Sequence, residues 1–170
     1  MGRNIEATSG FSDWPIAEQY LTFRIGQNSY GIEASKVKEI IHLQKIIRVS
    51  QQPPCVRGII RVRGKVVPVI DLRSTLGIRA AKDTAQSCIL VVQLKDAQDQ
   101  EFSMGLVIDE MEEVENISAE EMEKVNGSGG GFPLSAIKGI VRRKGSVKEI
   151  LDIDRAIGTD VVAQAKNLVA

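Results

Sequence analysis

The sequence predicts a mainly β protein: two related small closed barrels that share one hydrophobic core. Three observations carry that expectation. The chain repeats itself, each copy is a series of short β-branched runs bounded by turn residues, and 43% of its 170 residues are hydrophobic. That is enough apolar material for one compact domain or for two small ones with a common core. In the repeat, Gly58, Gly64, Asp71 and Gly77 match Gly139, Gly145, Asp152 and Gly158, each pair 81 positions apart. Upstream, "YGIEASKVKEI" runs beside "MGLVIDEMEEV" with Gly31 against Gly105, 74 positions apart. The difference is absorbed near "NGSGGGF", Asn126 to Phe132, which reads as an inserted loop. Such self-similarity points to two copies of one substructure.

Residues 1–17 read as an N-terminal arm, 18–158 as the repeated unit and 159–170 as a C-terminal helix. The first barrel is expected over about 20–80 and the second over about 85–153, with strand exchange between them left open. The runs "EQYLTFRIG", "SYGIEA", "IRVRGKVVPVI", "CILVVQLK", "EFSMGLVID" and "GSVKEILDI" have strand composition and turn residues at their ends. About five short strands in a ~65-residue unit suit a closed barrel, because closure removes exposed edges. Ser118 and Glu121 in "SAEE" form a capping pair. Asp71 and Asp152 are placed to cap single helical turns that end at Gly77 and Gly158. Ile157, Val161, Ala165 and Leu168 share a helical face, so the C-terminal helix is expected to pack on the barrels.

Formal net charge is zero, yet the charge is unevenly spread. Residues 20–80 hold eleven Lys/Arg and three Asp/Glu, a net of +8, whereas residues 85–153 hold seven and thirteen, a net of −6. Opposite charge on related shapes suits head-to-tail contact with relatives of the same fold. Drift after duplication is the plainer explanation of the same numbers.

Little in the chain suits an enzyme. His42 is the only histidine, and no nucleophile elbow, zinc-helix or phosphate-loop motif occurs. The acidic run "DEMEEVE" lacks calcium-loop spacing and reads as a solvated face. Cys55 and Cys88 have no metal or redox spacing and read as small buried hydrophobes. No catalytic, metal-binding or cofactor-binding residue is therefore assigned. No apolar run reaches the ~18 residues of a membrane span. The N-terminus also lacks a signal-peptide core, which predicts a cytoplasmic protein.

The most cationic stretch is "RGIIRVRGKVVPVIDLR", Arg57 to Arg73. A nucleic-acid grip would interleave aromatics with these cations, but the stretch has none and the chain is 4% aromatic. Alternation on a single strand would place Arg61, Arg63 and Lys65 on one side and Ile60, Val62 and Val66 on the other. Pro68 is expected at an edge or bulge. Upstream, Val37 and Glu39 share a face if extended, and Glu39 is expected to answer Arg63. That pairing leaves Val37 and the backbone at Gly58 and Gly64 as a surface for a protein partner.

With these residues in view, the chain resembles the CheW family of bacterial chemotaxis coupling proteins. The likeness runs through "YLTFRIGQNSYGIEASKVKEII", "PPCVRGIIRVRGKVVPVIDLRSTLG", "CILVVQL", "MGLVIDEMEEV" and "GIVRRKG" to "EILDIDRAI", with order and spacing kept from about Glu18 to Gly158. It implies two five-stranded SH3-like barrels around a shared core, and a non-enzymatic scaffold. The implied partners are the regulatory domain of the histidine kinase CheA and the cytoplasmic tips of chemoreceptors. The implied location is cytoplasmic, recruited to membrane-associated receptor arrays without membrane insertion. Carried over by position, Val37, Glu39, Gly58, Arg63 and Gly64 fall on the family's protein-binding pattern. Arg61 and Val62 depart from it, since many members carry Asn and Leu there. A CheW-like adaptor of a non-motility pathway and a nucleic-acid-binding small barrel remain the alternative readings.

Overall fold

The computed structural model describes residues 17–76, 82–125 and 132–169. Ten strands follow the order of the β-branched runs: β1 (Ala17–Ile25), β2 (Asn28–Glu33), β3 (Val37–His42), β4 (Val56–Val62), β5 (Lys65–Asp71), β6 (Cys88–Lys95), β7 (Glu101–Ile108), β8 (Glu110–Ser118), β9 (Ile137–Arg143) and β10 (Ser146–Leu151). Three short helices complete the fold: α1 (Leu72–Thr75), α2 (Ile153–Ala156) and α3 (Thr159–Asn167). Asp71 and Asp152 begin α1 and α2, each accepting the backbone N–H two residues on. Gly77, the arm before residue 17 and most of "NGSGGGF" lie outside the described residues.

The strands form two five-stranded sheets, ordered β8-β1-β2-β10-β9 and β3-β6-β7-β5-β4. Replacing each strand by its repeat partner turns one order into the other. Neither sheet is drawn from one contiguous half, so 20–80 and 85–153 bound the sequence repeats and not the barrels. Each barrel takes its first hairpin from one repeat and its last three strands from the other. The exchange is made by four pairings: β2 with β10 and β5 with β7, which are parallel, and β1 with β8 and β3 with β6, which are antiparallel. Gly31 and Gly105 lie in those pairings, and a Cβ on either would come 2.9 Å from a neighbouring side chain, Ile150 or Ile89. Closure comes from the chain beyond β3 and β8: Ile47 exchanges backbone hydrogen bonds with Ile59, and Glu123 with Ile140, all at 2.9 Å.

Pro68 is not at an edge. It sits within β5, an interior strand, one residue before the ladder to β7 begins at Val69. The acidic run after Asp109 is strand β8: Glu112 and Glu113 are exposed, as a solvated face requires, but Glu115 is buried, and the run meets Arg24, Ser29, Arg143 and Lys148.

Exchange of strands also redistributes charge. Segments 37–71 and 88–108 hold eight Lys/Arg and five Asp/Glu, a net of +3, while 17–33 and 110–151 hold seven and ten, a net of −3. The +8/−6 contrast of the linear halves is thus diluted to a basic barrel (β3-β6-β7-β5-β4) and an acidic barrel (β8-β1-β2-β10-β9).

A single large core lies between the barrels, where Phe23, Tyr30 and Ile32 meet Ile70, Leu90, Val92, Met104 and Leu106. Ile153, Ala156, Ile157, Val162 and Ala165 seal it. In α3 it is Val162 and Ala165 that are buried, with Val161 and Leu168 packing at the margin.

Each barrel also has its own interior, and the two differ in chemistry. The basic barrel is filled by Ile60, Val67, Val69, Ile89, Val91 and Val107, with Ile41 beside them. In the acidic barrel, Lys148, Thr22 and Glu115 stand at the positions of Val67, Val91 and Ile41. Lys148 pairs with Glu115 inside the barrel, and Arg143 reaches the same carboxylate at 3.0 Å. The Thr22 hydroxyl fills the bulge between β1 and β8, donating to the Glu113 carbonyl at 2.9 Å and accepting its N–H at 3.1 Å. Burial pushes the Glu115 carboxyl up, but the hydrogen bonds and charges of Lys148 and Arg143 outweigh it and hold the group below the usual carboxylate range.

The barrels are joined at one end by Arg73, whose side chain is 1% exposed. Its Nε and Nη2 donate to the two oxygens of Asp71 at 2.8 Å; Nη2 also donates to Asp83 at 2.7 Å, and Nη1 donates to Asp109 at 3.1 Å and to the Lys82 carbonyl at 3.2 Å. All five guanidinium N–H groups are used. Asp109 turns its second oxygen to the Gly26 N–H at 2.7 Å, which ties the acidic barrel's first hairpin to the basic barrel. The bonds to Asp71 outweigh burial and raise Arg73 above the ordinary arginine range. Arg57 joins the cluster through Asp71 and Asp83.

Three outcomes are expected. Arg73→Met strands buried carboxylates and should cost ~3–5 kcal/mol in urea unfolding. Giving the acidic barrel the interior of the basic one (Thr22→Val, Glu115→Ile and Lys148→Val together) should be neutral or should stabilise by ~1–4 kcal/mol. Because the folded-state pKa of Glu115 is depressed, its stabilisation is present above its unfolded pKa and is lost as pH falls through the folded value. The triple variant should therefore lose less stability than the parent on acidification below about pH 4.

Candidate protein-docking site

The hairpin of β4 and β5 turns on two residues, Arg63 (φ 50°) and Gly64 (φ 81°). Positive φ at both makes this a type I′ turn, whose twist matches that of the flanking strands. Its repeat, Lys144 (φ 51°) and Gly145 (φ 79°), makes the same turn between β9 and β10. A long cation thus stands at each barrel's hairpin tip. Because the turn pairs Val62 with Lys65 and Arg61 with Val66, Arg61 and Lys65 point to opposite faces. The single-strand alternation expected from the sequence fails here, since Arg63 is in the turn.

Glu39 and Arg63 do meet. The Arg63 Nε donates to Glu39 Oε2 at 3.0 Å, with Arg63 81% exposed and Glu39 half-buried. Glu39 also holds the guanidinium above its ordinary range. The pair spans β3 and the β4–β5 turn, the two edges of the basic barrel. Its two terminal guanidinium nitrogens have no partner among the described residues and face solvent. Gly64 beside it is exposed, and a Cβ there would meet no atom within 4 Å.

Val37 and Gly58 are placed differently. Val37 opens β3 and packs half-buried against the shared core, with a bulge between it and Glu39. Gly58 is buried at φ 141°, and a Cβ on it would lie 2.0 Å from the Ile47 carbonyl oxygen. It lets the chain beyond β3 close the barrel under the docking face and offers no surface of its own.

Sequence reasoning missed two features. Ile40, Ile47 and Val66 are 44%, 60% and 40% exposed on β3, the closing segment beyond it and β5, with Ile40 on the face of β3 opposite Glu39. Their burial pattern follows from barrel closure, which no local signal announced. The second feature is Arg73, the last cation of the stretch, which is structural and not available to a partner. The dipeptide spacing Asp71-x-Arg73 hinted at a cap, but Asp83 and Asp109 come from distant chain.

Other chemistries find no footing. Among the described residues, no three His, Cys, Asp or Glu side chains are arranged to hold a metal ion. Burial pushes the thiols of Cys55 and Cys88 up, toward the unreactive protonated form.

Residues 19–160 match the CheW-like domain family. The chain belongs to the CheW family. CheW-family proteins are scaffolds and not enzymes, which agrees with a site made of an ion pair, turn backbone and exposed aliphatics. The chain is 27% identical over 154 residues to the chemotaxis protein CheW of Treponema pallidum, covering 88% of each. It is 30% identical over 125 residues to that of Helicobacter pylori, covering 72% of this chain and 73% of the relative. In fold it matches the crystal structure of the scaffolding protein TtCheW from Thermoanaerobacter tengcongensis with a TM-score of 0.74 at 23% identity, over 88% of this chain and 94% of that one. The two barrels are the SH3-like pair of the CheW fold.

Gly58→Ala places a methyl group against backbone that has nowhere to move. It should destabilise by more than ~1 kcal/mol in denaturant unfolding and loosen the Ile47–Ile59 bridge. Gly64→Ala, with open space but positive φ, should cost about 1 kcal/mol.

Proposed function

We propose that this chain couples two partners in a chemotaxis signalling array: the regulatory domain of the histidine kinase CheA and the cytoplasmic tips of chemoreceptors. The match of residues 19–160 to a scaffold family carries the reading. The Glu39–Arg63 pair, with its guanidinium 81% exposed at the β4–β5 turn, supports it as a docking face. In this reading Glu39, Arg63 and Gly64 contact a partner, and Val37 and Gly58 hold the face in shape from beneath. The protein acts in the cytoplasm, recruited to arrays through its partners. No helix among the described residues is long and apolar enough to cross a membrane. Holding two partners at once raises the effective concentration of kinase near receptor. It also lets receptor conformation bias the kinase through contacts that differ between states.

A nucleic-acid function is disfavoured by the placement of the described aromatics: Tyr20, Phe23, Tyr30 and Phe132 are buried, and half-buried Phe102 lies under Lys166.

Binding of the purified chain to three probes tests the proposal: the CheA regulatory domain, a receptor cytoplasmic fragment and single-stranded RNA. The first two should bind and the RNA should not. Arg63→Glu should weaken binding to at least one protein partner while thermal unfolding stays nearly unchanged, because the pair it breaks is solvent-exposed. Unchanged affinity for both proteins would remove Arg63 from the docking face.

A further inference from the structure

The register of the β4–β5 hairpin sorts its side chains onto two faces, because directly opposed residues of an antiparallel pair share a side. Ile60 and Val67 are opposed, and both fill the basic barrel. Ile59 opposite Pro68 and Arg61 opposite Val66 therefore point outward. Ile47, bridged to Ile59, carries that outer face onto the closing segment. Nearer the seam between the barrels the same face of β5 is covered, and Ile70 is buried in the shared core. Toward the hairpin tip the cover ends, which leaves Ile47, Val66 and Arg61 exposed together.

The repeat supplies a matched site. Ile59, Arg61 and Val66 correspond to Ile140, Arg142 and Val147, each 81 positions on, and Arg142 is again opposed to Val147. Val147 is exposed, as Val66 is. The closing segments correspond through their bridges, Ile47 with Ile59 and Glu123 with Ile140. Glu123 thus stands where the basic barrel has Ile47. Its carboxylate accepts the Arg142 Nε–H at 3.2 Å, so Arg142 is answered within its own barrel.

Arg61 has no such answer. The closing segment offers it an isoleucine, and among the described residues it makes no hydrogen bond or ion pair. The carboxylates that serve the neighbouring cations are already engaged: Asp71 and Asp83 by Arg57 and Arg73, and Glu39 by Arg63. An unpaired guanidinium beside exposed aliphatics is the complement of what the other barrel completes for itself.

We propose that Arg61 is a specificity-determining contact, which takes a carboxylate from a protein partner whose aliphatic surface covers Ile47, Ile59 and Val66. The partner supplies to Arg61 the group that Glu123 supplies to Arg142. The aliphatic part accepts many apolar surfaces. The guanidinium selects among them, since a partner without a carboxylate there would desolvate a charge and leave it unpaired. The inference rests on the docking reading above and adds the chemistry of the partner at a second point of the same hairpin.

Binding of the full chain to the CheA regulatory domain and to the receptor cytoplasmic fragment tests it. Arg61→Glu should weaken binding to one of them by at least about tenfold while thermal unfolding stays unchanged. Ile47→Glu should weaken the same partner, because Arg61 then finds its carboxylate within the barrel, as Arg142 does. Lys65→Glu changes net charge equally on the opposite face of the hairpin and should have an effect of less than about threefold. Arg61→Gln should bind with a shallower dependence on salt than the unsubstituted protein, which keeps the test decisive if a charge reversal does not fold. Unchanged affinity for both partners in Arg61→Glu would overturn this inference alone, and so would an equal loss in Lys65→Glu or an unchanged salt dependence in Arg61→Gln. Failure of the unsubstituted chain to bind either partner would overturn the coupling reading and this inference with it.

Discussion

The parallel pairings of β2 with β10 and of β5 with β7 are the constraint on which the rest of the structure depends. They take the first hairpin of each repeat out of its own copy and build it into the other. Since β1, β2, β6 and β7 then have repeat-mates on both sides of the seam, their outward faces cannot remain solvated. Those faces become the large core between the barrels, and that is why strands such as β6 bury residues of both parities, Leu90 and Val92 on one side and Ile89 and Val91 on the other. The glycines at 31 and 105 follow from the same pairing, because a side chain there would press on the neighbouring strand.

Duplication left the backbone alike and let the side chains diverge by charge. An aliphatic trio in one barrel is matched by a buried Lys–Glu pair and a threonine in the other, and a buried arginine at one end of the seam is matched by an aspartate at the other. Both substitutions keep local hydrogen bonds satisfied, the condition under which buried charge is tolerated. They differ in how far water is excluded: the Arg73 side chain is 1% exposed and that of Asp154 28%.

The cations of "RGIIRVRGKVVPVIDLR" separate into distinct roles once folded. Arg57 and Arg73 are consumed by Asp71, Asp83 and Asp109, and they hold structure. Arg63 stands at a turn with only its Nε engaged, by a glutamate from the opposite barrel edge. Arg61 and Lys65 leave the hairpin on opposite faces. A run that reads in sequence as one basic patch is therefore a structural clamp of Arg57 and Arg73 at one end of a hairpin and, at the other, the exposed cations Arg61, Arg63 and Lys65.

Much of this was legible before the structure. The 81-residue offset, the caps at Asp71 and Asp152, and the Glu39–Arg63 pairing depend on short-range rules or on direct comparison of the two copies; the Arg63-Gly64 turn did not emerge, because the β-branched run continues through it without a break. The barrel boundaries were not legible, because parallel pairing between distant segments leaves no local mark and alternation along a strand does not say which sheet it joins. Nor was the role of Arg73, whose carboxylates at 71, 83 and 109 are gathered only by the fold. The exposed Ile40, Ile47 and Val66 look in sequence like any core aliphatic. Sequence by itself determined the repeat, the β class, the helix caps and the family, since each rests on residue identity and spacing. Tertiary structure alone decided where the Arg63-Gly64 turn divides one run into two strands, which repeat feeds which barrel, and which arginines are buried and which are exposed, since those follow from long-range contacts and from the exclusion of water.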